Sequence, residues 1–186
     1  MSEKIYQVRI GGEAGQGVIL AGVLLAQAAA EAGMQVAQSA RYGAAVRGGE
    51  ATSDVVISSE SIDFPHVESP DYLVVISQST YDKFAPAQAE GTLVISDPFF
   101  VKSGPLKNVR HIELAATDAA IKRFGKSTSA NLVLLGALVE LSNVASMDSL
   151  RAAVEHGVSA KFKKANFEAL EMGRKMAQAA VGGGIK

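Results

Sequence analysis

Between Ser39 and Ala51 the sequence reads SARYGAAVRGGEA. Arg47 is followed by Gly48 and Gly49, and Tyr42 and Gly43 stand shortly before it. A guanidinium presents five donors in a planar fork, suited to a carboxylate or a phosphate. Glycines beside it permit a sharp turn and a close approach of the backbone. Such an arginine can anchor a neighbouring group, or it can pair within its own chain, here with Glu50 or Asp54. Tyr42 adds a flat surface with a polar tip. Arg41 reads as a solvated rim charge.

About thirty residues earlier lies a second glycine cluster, GGEAGQGV, with glycines at 11, 12, 15 and 17. It precedes an apolar helical stretch. Glycines before a helix allow a tight turn and leave backbone N–H groups open to an anion. Glu13 opposes that use, and the alternative is that the glycines only let strand and helix pack closely. The dinucleotide fingerprint G-x-G-x-x-G fails, because counting from Gly15 and Gly17 puts Leu20 at the third glycine. The following strand segment, 34–39, has no Asp or Glu for a ribose. The phosphate loop fails too: Gly12 and Gly17 are spaced correctly, but Val18 and Ile19 replace Lys and Ser/Thr.

Other chemistries are bounded by composition. There is no cysteine, which removes disulfides, thiolate nucleophiles and cysteine-held iron–sulfur clusters. The three histidines, at 66, 111 and 156, are too scattered in sequence to suggest a shared metal site. A formal net charge of -1 gives no overall field for nucleic acid or an anionic membrane. The most apolar run, Val18 to Ala30, is too short to span a bilayer. The start, MSEKIYQVRI, reads as a strand and not as a signal peptide. A soluble, cytoplasmic single domain over 1–186 is expected, with a loose tail from about 181.

The elements that must hold these residues follow from periodicity. Tyr6, Val8 and Ile10 alternate with Gln7 and Arg9, a strand whose second side is less buried. GGEAGQG turns the chain, and a helix from Val18 ends at Gly33. MQVAQSA and EATSDVVIS are strands, and SPDYLVVIS and GTLVISD suit interior parallel strands. Between these two, TYDKFAPAQAE suits a short helix broken at Pro86. VRHIEL ends the sheet near 114. Thr117 and Ser146 can cap helices, and Gly125 can close the first of them. Gly136 inside an apolar helix costs about 1 kcal/mol relative to alanine and marks a close helix–sheet contact. In the last helix Phe162, Ala165, Ala169, Met172, Met176 and Ala180 form an apolar stripe, while Lys161, Lys163 and Lys164 read as a solvated face. The pattern describes an α/β fold: a three-layer, Rossmann-like domain with a mostly parallel sheet, right-handed crossovers and helices on both faces.

Taken in order, GGEAGQGVILAGVLLAQAAAEAG, YGAAVRGGEATSDVVIS, PDYLVVISQSTYDKF, GTLVISD and ANLVLLGAL resemble the gamma subunit of 2-oxoacid:ferredoxin oxidoreductases, over roughly residues 5 to 175. The resemblance implies a complex that oxidatively decarboxylates a 2-oxoacid to an acyl-coenzyme A. Thiamine diphosphate with Mg²⁺ sits between alpha and beta subunits. Iron–sulfur clusters, held by the beta or a small delta subunit, pass electrons to ferredoxin. The gamma chain itself holds no cofactor; it is structural and helps shape the coenzyme A approach. Gly12, Gly15, Gln16 and Gly17 match the family's first glycine loop, although Ala14 replaces a usual glycine and Glu13 a usual aromatic or small residue. Tyr42, Gly43, Arg47, Gly48 and Gly49 match its YG…RGG segment, which places Arg47 at the subunit interface or near the coenzyme A phosphates. Asn131 and Gly136 match its N…LG helix. The text YGAAVRGGEA is closer to the 2-oxoglutarate or branched-chain type than to the pyruvate type, and 2-oxoglutarate is the preferred substrate. Two alternatives stand beside this: an autonomous nucleotide- or flavin-binding protein, and a homo-oligomeric scaffold that pairs with itself when isolated.

Overall fold

The computed structural model describes residues 5–43 and 48–182. Alternating Val8 and Ile10 bury one side of β1 (Ile5–Glu13), which runs on through Gly11 and Gly12. The turn predicted over GGEAGQG is therefore shorter, confined to 14–17. A strand can use glycines where another group crowds its face. Here a side chain at Gly11 would press on Thr80, and one at Gly12 would overlap Gln16 and Val18.

Gly17 takes a left-handed conformation (φ 75°) and starts α1 (Val18–Glu31). This helix buries Ala21, Leu24, Leu25, Ala28 and Ala29. It leads to β2 (Gln35–Tyr42), followed by β3 (Glu50–Ser58). β4 (Tyr72–Val75), α2 (Gln78–Phe84), β5 (Leu93–Ser96) and β6 (Arg110–Glu113) continue the sheet, with a short 3-10 turn at Ala85–Ala87 around Pro86 as the sequence predicts. Three helices follow a fourth: α3 (Ala116–Phe124), α4 (Ala130–Ser142), α5 (Met147–Gly157) and α6 (Ala160–Gly182). The expected tail falls mainly on 183–186, outside the described residues.

The sheet order is β2-β3-β1-β4-β5-β6. Pairs β1–β4, β4–β5 and β5–β6 are parallel, as expected of short apolar runs. The other two pairs are antiparallel, so the sheet is mixed and, as expected, mostly parallel. β3 inserts antiparallel between β1 and β2, so β1 and β2 are parallel but not adjacent. Thus the described residues of Ser39–Ala51 lie at the neighbouring ends of two paired strands, four of them in β2 and two in β3.

One face of the sheet carries α1, α4, α5 and α6 over the larger core; α2 packs with Leu73, Val75 and Val94 on the other. Three sequence expectations change in detail. Thr117 is not the cap of α3: the helix begins at Ala116, and Thr117 N–H donates to Asp97 Oδ2 at 2.8 Å. Ser146 does cap α5, in a reciprocal pair with Ser149, and Gly125 closes α3. Gly136 marks a helix–helix rather than a helix–sheet contact, since a side chain there would overlap the Leu170 backbone of α6. Gly173 meets the Val133 backbone reciprocally. The buried face of α6 is therefore Ala169, Leu170, Gly173 and Ala177, while Phe162 and Ala180 at the ends of the expected stripe are exposed.

Candidate functional site

β1 and β4 lie side by side and parallel, yet α1 leaves β1 onto one face and α2 leaves β4 onto the other. The crevice beyond their carboxyl ends is where open α/β sheets bind ligands. In this chain Gln16 bridges it. Its Oε1 accepts the Glu13 N–H at 2.7 Å, and its Nε2 donates to the Ile76 carbonyl at 3.0 Å. One side chain thus satisfies a donor at the end of β1 and an acceptor just past β4. Gly12 must lack a side chain because the Gln16 amide lies over it.

Asn131, in the first turn of α4, closes the loop from the other side. Its Nδ2 donates to the Gly17 carbonyl at 3.0 Å, and the residue is 3% exposed. Gly17 is fixed twice: its φ is positive, and a side chain would overlap the Asn131 amide. The paired ends of β2 and β3 join the same place, because Ala14 N–H donates to the Gly49 carbonyl at 2.9 Å and Gly43 N–H to the Glu50 carbonyl at 2.6 Å. Gly48 turns with φ 66°. The structure therefore gathers Gly12, Gly15, Gln16, Gly17, Tyr42, Gly43, Gly48, Gly49 and Asn131 at one end of the sheet. Arg47 lies outside the described residues.

The surface there is apolar and grooved. Tyr42 is 67% exposed and Leu20 39%. With Gly15, Gly17, Val18 and Ile19 they line a groove of about 270 Å³. On the other side of Leu20, a groove of about 330 Å³ runs past Thr128 to Val158 and Phe162. Phe100 and Gly15 border a small hollow of about 60 Å³ between them and Thr128. Deeper in that wall, burial pushes the Asp97 carboxyl up from its ordinary value, partly offset by N–H donors from Thr117 and Phe99.

Sequence reading missed a buried ion cluster around Asp54. Arg9, placed on the less buried side of its strand, is only 8% exposed. It grips Asp54 with two nitrogens, at 2.7 and 2.8 Å, donates to the Val67 carbonyl at 2.7 Å and lies 4.9 Å from the Phe84 ring. Arg41, read as a rim charge, also pairs with Asp54. The candidate partners of Arg47 are thus engaged: Asp54 with two arginines, Glu50 with Lys83 at 2.6 Å. The available signal was Asp54 itself, a charge inside the strand TSDVVIS.

The pyruvate ferredoxin/flavodoxin oxidoreductase family model matches residues 7–176. The chain belongs to this family. It is a gamma subunit of a 2-oxoacid:ferredoxin oxidoreductase. The 2-oxoglutarate synthase subunit KorC of Methanocaldococcus jannaschii is 38% identical over 175 residues, which is 92% of this chain and 94% of that one. The crystal structure of a keto/oxoacid ferredoxin oxidoreductase gamma subunit from Geobacter sulfurreducens superposes with TM-score 0.85 and 34% identity, covering 95% of this chain and 98% of that one. A 2-oxoglutarate:ferredoxin oxidoreductase from Magnetococcus marinus, with 2-oxoglutarate, coenzyme A and succinyl-CoA bound, superposes with TM-score 0.85 and 27% identity. There, 95% of this chain matches 31% of that one.

The gamma subunit's residues do not fit the redox groups of such an enzyme. It has no cysteine to ligate a cluster, and among the described residues no three His, Cys, Asp or Glu side chains converge on a metal position. His111 is bonded to Ser96 at 2.8 Å, His66 packs on Phe64, and His156 faces Glu31. Among the described residues no helix is long and apolar enough to cross a membrane. By its family membership the chain is a non-catalytic, gamma-type part of an oxidoreductase complex. What the gathered loops offer is a shaped, partly apolar face.

Proposed function

We propose that this gamma subunit uses its glycine-loop face to dock against the thiamine-binding alpha and beta subunits of an enzyme that converts 2-oxoglutarate and coenzyme A to succinyl-CoA, with ferredoxin as electron acceptor. The observation that carries this is the Ala14–Gly49 backbone bond, which unites two glycine segments far apart in sequence at one grooved end of the sheet. The crevice that a nucleotide would use in this fold is bridged by Gln16 and leaves a hollow of only about 60 Å³, which favours a protein-facing role over an autonomous nucleotide site. Exposed Leu20, Tyr42 and Phe162 around the loop supply the apolar surface that a neighbouring subunit covers.

Thiamine diphosphate with Mg²⁺ and the iron–sulfur clusters belong to the other subunits in this reading, and supply the decarboxylation and electron transfer. Arg47, between Tyr42 and Gly48, is the residue assigned to meet a partner carboxylate or a coenzyme A phosphate. The choice of 2-oxoglutarate is supported by the likeness to the archaeal 2-oxoglutarate synthase subunit and to the Magnetococcus enzyme. The test is affinity purification of this chain from anaerobically grown native cells, with mass spectrometry and 2-oxoacid assays. Larger thiamine-binding chains and 2-oxoglutarate-dependent ferredoxin reduction are expected. Recovery of the chain without them, or turnover of another oxoacid in preference, overturns the corresponding half of the proposal.

A further inference from the structure

A strand at the margin of a sheet presents a row of N–H and C=O groups that template another strand. Folded proteins blunt such margins with short strands, lysine, proline or a bulge. One margin of this sheet is blunted: β6 has four residues, with Arg110 and Glu113 at its ends. The other is not. β2 has eight residues, and apart from Arg41 and Tyr42 at its end they are small or uncharged: Gln35, Val36, Ala37, Gln38, Ser39 and Ala40. It contains no proline or lysine, and it pairs with β3 residue for residue from Gln35↔Ser58 to Tyr42↔Ala51, without a bulge. Its single charge, Arg41, is drawn to Asp54 on the neighbouring strand. Among the described residues no strand pairs with its outer side.

We propose that β2 pairs antiparallel with the β2 strand of a second copy of this chain, joining two six-stranded sheets into one continuous sheet across a twofold axis. The strand's own pattern selects a second copy as the occupant. Twofold antiparallel pairing keeps the α1 face of both copies on the same side, so like faces meet. In the register centred on Gln38, that residue faces its own symmetry mate, Ala37 faces Ser39, Val36 faces Ala40 and Gln35 faces Arg41. No two like charges stand opposite, and small residues flank the centre, so the strands can approach fully. The glycine loops are not part of this pairing, so the dimer stands or falls independently of the oxoacid and of the partner subunits.

The test is analytical ultracentrifugation of the full chain across a dilution series, for the wild type and for Gln38→Lys and Gln38→Glu. The wild type is expected to dimerise. Each variant alone places like charges across the axis and is expected to weaken dimerisation by about tenfold or more. An equimolar mixture of the two variants pairs Lys with Glu and is expected to recover the dimer, a result that misfolding would not produce. A monomeric wild type, a variant that dimerises as the wild type does, or a mixture that stays monomeric each overturns the proposal.

Discussion

Gln16 shows how one residue can convert a ligand crevice into part of the scaffold. Its amide answers the Glu13 N–H and the Ile76 carbonyl together. Removing it leaves a donor and an acceptor unpaired at the end of two strands, and a buried unpaired group costs about 1–3 kcal/mol. Gln16→Ala is therefore expected to lower the stability of the isolated chain by an amount in that range, read from urea unfolding; unchanged stability would contradict the bridging role. Gln16 was visible in the sequence as part of AGQGV, but its role was not, because the Ile76 partner is distant in the chain and only the fold brings it near. His111 offers a second check. Burial holds its imidazole below its ordinary value of 6.5. The unfolded chain then binds more protons in the window just below that value, so stability rises with pH through the window and falls on acidification. His111→Gln, which keeps a polar group near Ser96, is expected to flatten that part of the stability–pH profile measured by thermal unfolding.

Among the elements, α4 and α6 owe their close approach to two glycines rather than to large side chains. Gly136 lies against the Leu170 backbone and Gly173 against the Val133 backbone. Alanine is the better helix former by about 1 kcal/mol, so propensity alone predicts that Gly136→Ala stabilises. Overpacking against a backbone typically costs about 1–3 kcal/mol and acts the other way. Destabilisation of both Gly136→Ala and Gly173→Ala in denaturant unfolding is the expected outcome, and a gain for either would show that the helices can part cheaply. In the sequence Gly136 stands out but points to the sheet as its neighbour, whereas Gly173 carries no signal, because EMGRK reads as an ordinary polar turn of helix. The parallel strands β4 and β5 were legible as short apolar runs. The antiparallel insertion of β3 was not, since strand–glycine–helix–strand reads equally as an adjacent crossover and pairing partners carry no local signature.

For the whole molecule, assembly depends on which surface is left uncovered. Leu20 stands between two grooves at the glycine-loop end. It lies in the first turn of α1, where an acidic side chain is compatible with the helix. Leu20→Glu is expected to leave the isolated chain's unfolding curve within about 0.5 kcal/mol. The same change is expected to weaken co-purification of the partner subunits by tenfold or more, about 1.4 kcal/mol in binding. The family segments in the sequence point to this end of the domain through Gly15, Gly17 and Tyr42; the flanking contributions of Leu20, Phe100 and Phe162 are hidden, because they come from α1, the turn after β5 and α6. The measurement that bears most directly on the docking face is amide hydrogen exchange of this chain, free and in its native complex. Protection gained at residues 13–20 on assembly, with little change at residues 59–66 at the opposite end of β1, is what the docking face predicts. Equal exchange at 13–20 in both states, or protection confined to 59–66, would contradict it.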